Sequence, residues 1–290
     1  MFQDMPFPAL ERVIQTMDKT DQGSLRLSAK WLRDLVDTNN MSLHINFPAI
    51  DMIWQDLQNI LKRSVKLKSL VFSGDAPMEE AIFYRLELPL QLEFLEVVIS
   101  EANTCLSKWK LKVDPSLKHL VLRCCQYLDD ISTLQYCANM TYLDLSHCIN
   151  VIDIACLEPC TSLTTLKLSN CNVLDISKLD ALRLLKHLDL SCNRELVDIK
   201  GLLSCSLLEH LNLSSTKVDD LTPLYGCPKL KYLNLEHCIR VENTKCIDYL
   251  YEMEERIVFD LDDNMIAWLH FLHEDEMTHG NGLPYINEVE

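Results

Sequence analysis

The chain has 290 residues, 48% of them hydrophobic, which allows one or two domains with a sizeable core. Its 27 Lys plus Arg against 43 Asp plus Glu leave a net charge of −16, arguing against nucleic acid as a partner because phosphate-backbone affinity comes from clustered cations. No apolar run approaches the roughly 18 residues of a transmembrane helix, no secretory signal is seen, and 13 cysteines are an odd number; the expectation is a soluble chain with reduced thiols, cytoplasmic and/or nuclear, with no membrane partner.

Residues 4–37 predict two helices. Leu10, Val13, Ile14 and Met17 lie at i, i+3, i+4 and i+7, one apolar stripe on a helix that Pro6 or Pro8 can open. A polar break, Asp18 to Gly23, follows. The second helix, from about Ser24, carries Leu27, Trp31 and Leu35 on one face, with Leu25, Leu32 and Val36 beside it. That surface is too wide for two helices to bury by themselves. The order Pro6, Leu10, Val13, Ile14, Met17, Asp18, then Arg26, Leu27, Ser28, Trp31 and Leu35 resembles an F-box. The resemblance implies a small helical module, residues 1–40, that docks on the Skp-type adaptor of a cullin ligase through Pro6, Leu10, Val13, Ile14, Met17, Leu27, Trp31 and Leu35. It departs from the family's pattern at Gln22, Gly23 and Ser24, which replace a leucine-rich start of the second helix.

Behind Pro48, Ile50, Ile53, Trp54, Leu57, Ile60 and Leu61 form another amphipathic pattern, and residues 41–66 are assigned to a linker helix. Leu67-x-x-Leu70-x-Phe72 and Leu92-x-x-Leu95-x-Val97 then introduce a Leu-x-x-Leu-x-Leu motif at a stretched spacing. From Leu117 the motif becomes regular. It recurs at Met140, Leu163, Leu185, Leu208 and Leu230, with steps that differ from one another by no more than a single position. Leucines separated by one residue share one face of a strand, so each repeat supplies a strand. Further along each repeat stand an aliphatic (Ile131, Ile154, Ile176, Ile199, Leu221) and, three positions later, a leucine (Leu134, Leu157, Leu179, Leu202, Leu224), a helical or 3₁₀ spacing. This pattern resembles the leucine-rich repeat family in its shorter, cytosolic form. The resemblance implies an α/β fold: a leucine-rich-repeat solenoid of about eight repeats over residues 67–245, with a parallel concave sheet and short convex helical segments behind the helical N-terminal module.

Phe259-Asp260-Leu261 predicts a last strand, and Met265, Ile266, Leu269 and Leu272 an amphipathic helix, so residues 246–277 are expected to cap the solenoid. Residues 278–290 are expected to be a flexible acidic tail. Most of the charge lies here: residues 246–290 hold 12 acids and one base, Arg256.

Eight cysteines fall on two columns of the repeat. Cys125, Cys148, Cys171 and Cys238 share a turn position with Asn193 and Thr216, where a side chain can satisfy backbone groups; Cys137, Cys160, Cys205 and Cys227 are expected to act as small core hydrophobes. Equivalent positions stack into a ladder and do not close a tetrahedron, so no metal and no cofactor is expected. Phosphate-binding glycine loops, nucleophile elbows and His-Glu-x-x-His are absent, and the reading is non-catalytic. Asp129-Asp130 and Asp219-Asp220 fall in predicted turns and are taken as solvated loop acids.

Binding is expected on the concave face, on residues alternating with the buried leucines. One column reads His119, Tyr142, Thr165, His187, His210, Tyr232; the next Val121, Asp144, Lys167, Asp189, Asn212, Asn234; the third Arg123, Ser146, Ser169, Ser191, Ser214, Glu236. The partner-binding candidates are His119, Arg123, Tyr142, Asp144, Lys167, His187, Asp189, His210, Asn212, Tyr232 and Asn234, with Asp144, Lys167 and Asp189 able to pair across strands. Together the two resemblances imply the substrate receptor of an SCF-type ubiquitin ligase, whose partners are a Skp-type adaptor with its cullin ligase and a protein substrate. The alternative is a leucine-rich-repeat interaction scaffold, phosphatase-regulator-like or an assembly factor, with no ligase role.

Overall fold

The computed structural model describes residues 42–47, 67–74, 91–98, 109–110, 112–126, 128–238 and 257–261. Twelve strands run through them: β1 (Ser42–Phe47), β2 (Ser69–Gly74), β3 (Phe94–Val98), β4 (Trp109–Lys110), β5 (His119–Arg123), β6 (Leu128–Asp130), β7 (Tyr142–Asp144), β8 (Thr165–Lys167), β9 (His187–Asp189), β10 (His210–Asn212), β11 (Tyr232–Asn234) and β12 (Val258–Asp260). Ten form one parallel sheet in chain order, while β4 and β6 pair separately beside it.

The leucine periodicity explains the sheet directly. Leu70, Leu95, Leu120, Leu143, Leu166, Leu188, Leu211 and Leu233 stand opposite one another in register across successive strands, and all are buried. Leu122, Leu145, Leu168, Leu190, Leu213 and Leu235 form a second buried column behind them. Each fully buried leucine is worth about 1.5–3 kcal/mol, so the stack, not any single repeat, supplies the stability.

The chain returns on the other side through 3₁₀ turns at Ser132–Tyr136, Ala155–Leu157, Ser177–Ala181, Lys200–Leu202 and Thr222–Gly226. No α-helix occurs among the described residues. A repeat this short leaves room for one tight turn, and the Ile-x-x-Leu spacing closes it: Leu134, Leu157, Leu179 and Leu202 each donate their N–H to the carbonyl of the preceding isoleucine at 2.9 Å. The aspartate just before that isoleucine, or before Leu221 in the last turn, accepts the next free N–H. Asp130, Asp153, Asp175, Asp198 and Asp220 bond the amides of Ser132, Ala155, Ser177, Lys200 and Thr222 at 2.7–3.0 Å. Asp130 and Asp220 are thus structural groups rather than the solvated loop acids expected, and Asp129-Asp130 lies in strand β6.

Three further expectations change. The main sheet gains a strand, β1, ahead of the eight repeats, in addition to the final strand expected at Phe259, which is β12. The linker helix assigned to 41–66 does not begin where expected: Ser42–Phe47 is a strand paired in parallel with β2. Its alternating Leu43, Ile45 and Phe47 carry the period-two signal. The rest of the linker pattern, from Ile50, and the whole F-box-like segment lie outside the described residues, as do residues 262–290. Finally, the Cys137 column does more than fill space. Cys137, Cys160, Cys205 and Cys227 donate S–H bonds to Asp114, Leu134, Leu179 and Leu202 carbonyls of the preceding repeat at 3.2–3.6 Å.

The turn exits carry a repeated backbone constraint. Cys124, His147, Asn170, Cys192, Ser215 and His237 all take left-handed φ values of 54–65°. This lets the chain bend off the strand while still bonding to the next repeat, as His147 N–H does to the Ser169 carbonyl at 2.7 Å. On the far side, Gly201 packs so closely that a Cβ would lie 1.9 Å from the Ile176 carbonyl oxygen, part of the backbone. Gly201→Ala is therefore expected to cost about 2–3 kcal/mol, measured by chemical denaturation, whereas Lys200→Ala beside it is expected to cost less than about 1 kcal/mol.

Candidate functional site

Strand residues that point away from the leucines build the open face of the sheet. Closest to the strand starts is a row of rings: Phe94, His119 and Tyr142 stack with centroids 4.1 and 4.3 Å apart and interplanar angles of 9° and 10°. His187 and His210 stack at 4.8 Å and 18°, and Tyr232 follows at 6.0 Å in a tilted contact. Neighbouring strands lie about 4.8 Å apart, close to ring-stacking distance, so register alone aligns side chains from successive repeats. Phe94 was missed in the sequence. The same column, extended one repeat upstream of His119, contains it. Thr165 is the one position between Phe94 and Tyr232 in this row without a ring.

The second column divides by residue type. Asp144, Asp189, Asn212 and Asn234 each accept the backbone N–H two positions on, at 2.9–3.0 Å, closing the strand end as it turns. Asp144 and Asn234 are buried, as is Val121. Asp144 is 0% exposed, so it is not the displayed acid expected from the sequence. It also pairs differently: Arg123 grips its Oδ2 through Nη2 at 2.6 Å and Nε at 2.8 Å, while Ser146 Oγ donates to Oδ1 at 2.6 Å. The expected pairing among Asp144, Lys167 and Asp189 is not formed, and Lys167 has no ion pair among the described residues. Burial would raise the Asp144 carboxyl, but the Ser146 and Arg123 hydrogen bonds and the Arg123 charge hold it below its ordinary value. Its partnership pushes the guanidinium of Arg123 up.

Asp189 is likewise engaged, accepting from Ser191 Oγ at 2.6 Å, and Ser191 Oγ lies 2.8 Å from Ser169 Oγ. The Tyr232 hydroxyl donates to Asp260 Oδ2, which pushes the phenol up. Lys167, His187, Asp189, His210, Asn212 and Tyr232 surround a shallow hollow of about 200 Å³ floored by Leu188 and Leu211. The structure thus gathers six of the eleven partner-binding candidates around one depression. His119 and Tyr142 lie further along the ring row, and Arg123 and Asp144 form a closed pair beside it.

The turn column behaves as the repeat pattern implied. Cys148, Cys171 and Cys238 donate to the Leu122, Leu145 and Leu213 carbonyls at 3.0 Å; Asn193 reaches the Leu168 and Leu190 carbonyls at 2.8 and 2.7 Å, and Thr216 the Leu213 carbonyl at 2.7 Å. All eleven described cysteines are free thiols. Burial pushes Cys160 and Cys227 up to about 12, so both remain protonated donors near neutrality. Among the described residues, no group of three or more His, Cys, Asp or Glu is placed to hold a metal, and no helix is long and apolar enough to cross a membrane.

A family model for leucine-rich repeats, two copies, matches residues 206–248. The chain carries leucine-rich repeats in a solenoid with a parallel sheet. Comparison with curated proteins gives no match. Among solved structures it is similar to an internalin, inlF, of Listeria monocytogenes (17% identity, TM-score 0.47, covering 83% of this chain and 64% of that one). It is also similar to the functional domain of InlJ from the same organism, which includes a cysteine ladder (18% identity, TM-score 0.46, 81% and 55%). A third is the Leptospira interrogans repeat protein LIC12759 (18% identity, TM-score 0.44, 80% and 53%). The chain therefore spans less than two thirds of the length of these three proteins.

Two outcomes follow from this electrostatic arrangement. Arg123→Ala strands a buried carboxylate and is expected to cost about 2 kcal/mol in denaturant unfolding, below the roughly 3–5 kcal/mol of a fully buried pair because the guanidinium is 42% exposed. The second concerns pH. Burial lowers His119 against the opposing pull of Glu96 and Asp144; burial, with His210 repulsion, also lowers His187 near Glu209, Lys186 and Lys167. Both imidazoles bind a proton less readily in the folded chain than in the unfolded one, so as pH falls below the ordinary histidine value of 6.5 the unfolded chain binds more protons and stability falls. The melting temperature is expected to be lower at pH 5.5 than at pH 7.5, a difference reduced in His119→Gln.

Proposed function

We propose that the chain is a protein-interaction module, with the open sheet face as its receptor surface. The observation that carries this reading is the ring row with the hollow beside it. Stacked His, Tyr and Phe rings are presented on a backbone held rigid by inter-repeat hydrogen bonds, giving amphipathic contact area with little conformational entropy left to lose. Leucine-rich-repeat proteins typically bind other proteins and do not catalyse, which agrees with a face built of ring edges and short polar side chains.

The more specific role proposed is substrate receptor of an SCF-type ligase. It rests on the sequence of the N-terminal segment, where Pro6, Leu10, Ile14, Leu27, Trp31 and Leu35 follow the F-box order. An assembly of that kind is cytoplasmic or nuclear, and free buried thiols suit such a reducing compartment. In this arrangement the repeats would hold the target and the N-terminal module the Skp-type adaptor.

The two levels separate experimentally. Affinity capture with the wild-type chain and with Lys167→Glu/His210→Ser is expected to show at least a tenfold loss of recovered partner in the variant at unchanged melting temperature. Equal recovery would remove the face from the interaction. A pull-down with a Skp-type adaptor is expected to succeed with wild type and fail with Leu10→Asp/Trp31→Ala; absence of wild-type binding would rule out the ligase role and leave the scaffold.

A further inference from the structure

The ring row is interrupted at one strand only, and the interruption has the dimensions of a ring. Tyr142 on β7 stacks on His119 with its other face turned toward β8; His187 on β9 stacks on His210 with its other face turned toward β8 from the opposite side. Between them the row position belongs to Thr165, in register with both. Two strand spacings of about 4.8 Å separate the flanking positions by about 9.6 Å, room for one planar group in contact with both rings. Thr165 is half-buried, with a side chain too short to fill that interval.

The charge beside this gap is equally specific. Two positions further along β8, on the same face, stands Lys167 at the edge of the hollow. The three outward columns hold one other base among these repeats, Arg123, and it is already bound by Asp144. Lys167 lacks an ion pair among the described residues, and the nearby Asp189 is occupied by Ser191.

The geometry points to an intercalation slot at Thr165 that takes an aromatic side chain of a protein partner, with an adjacent carboxylate of the same segment on Lys167. The inserted ring completes a row of seven from Phe94 to Tyr232. This rests on the reading of the sheet face as the receptor surface and names the segment it recognises. A cationic side chain is disfavoured because the Lys167 ammonium borders the slot. An aliphatic side chain fills the space without the offset-stacked contact on two ring faces.

The test is a titration of the full chain, followed through the His187 and Tyr142 ring resonances, with the peptide acetyl-Gly-Tyr-Glu-Gly-amide. Upfield ring-current shifts at both residues are expected. Binding should weaken about fivefold when the probe's tyrosine is replaced by leucine or its glutamate by glutamine, and Lys167→Gln should erase the latter difference. Thr165→Phe fills the slot from within: it is expected to raise the melting temperature and abolish the response, while Thr165→Ser keeps it. Equal binding of the leucine peptide, an undiminished response in Thr165→Phe, or no ring shift up to millimolar peptide would overturn the slot. Partner capture separates this from the wider reading. Loss of partner with Lys167→Glu/His210→Ser but not with Thr165→Phe sinks the slot alone, whereas retention in both sinks the receptor face as well.

Discussion

Each repeat depends on its neighbour because it cannot close its own hydrogen bonds or bury its own leucines. A strand as short as β8 or β10 leaves unpaired amides and carbonyls on both edges, and the sheet satisfies them only by stacking. The polar side chains that recur once per repeat extend the same logic beyond the strands. At the turn, Cys148, Cys171, Asn193 and Cys238 bond carbonyls of the preceding repeat that the sheet cannot reach. A weakly polar thiol suits this place, being small enough for a column with almost no exposure yet still able to donate.

Much of what looks like display on the open face is therefore structural. Aspartates and asparagines of the second column close strand ends, and Ser146 and Ser191 of the third brace Asp144 and Asp189. The acids that precede the isoleucines cap the 3₁₀ turns on the opposite side. After these claims, the outward groups that still offer a face to a partner include the rings and Lys167. The division follows from chemistry. A short carboxylate or amide reaches its own backbone two positions on, while an imidazole, a phenol or a lysine chain is too long or lacks the acceptor, and so is left to meet its counterpart across strands or a partner.

The leucine columns, the strand starts and the 3₁₀ turns were legible because they are periodic. One side chain per repeat at a fixed position can only stack, and Ile-x-x-Leu permits a single tight turn. The strand at Ser42–Phe47 was harder to see because it lacks the repeat's second half, and a helical pattern begins soon after it. Phe94 escaped for a related reason: the spacing stretches upstream of Leu117, and the ring column was not carried back through it. The Arg123–Asp144 pair was misassigned because sequence shows only that an acid and two bases occupy neighbouring columns. Which base reaches the acid depends on side-chain length and direction across strands.

The sequence by itself determined the solenoid, its repeat length, the residues that face inward and the ring column, since periodicity and register leave no other way to bury so many aligned leucines. Only the tertiary structure decided which outward residues are free. Asp144 and Asp189 resemble each other in sequence, yet Asp144 is sealed by Arg123 while Asp189 stays at the edge of a hollow. Thr165, unremarkable as a residue, becomes a gap between two stacked sets of rings. The physical reason is that periodicity assigns a side chain to a face, whereas exposure and partnership depend on what the adjacent strand places within a few ångströms of it.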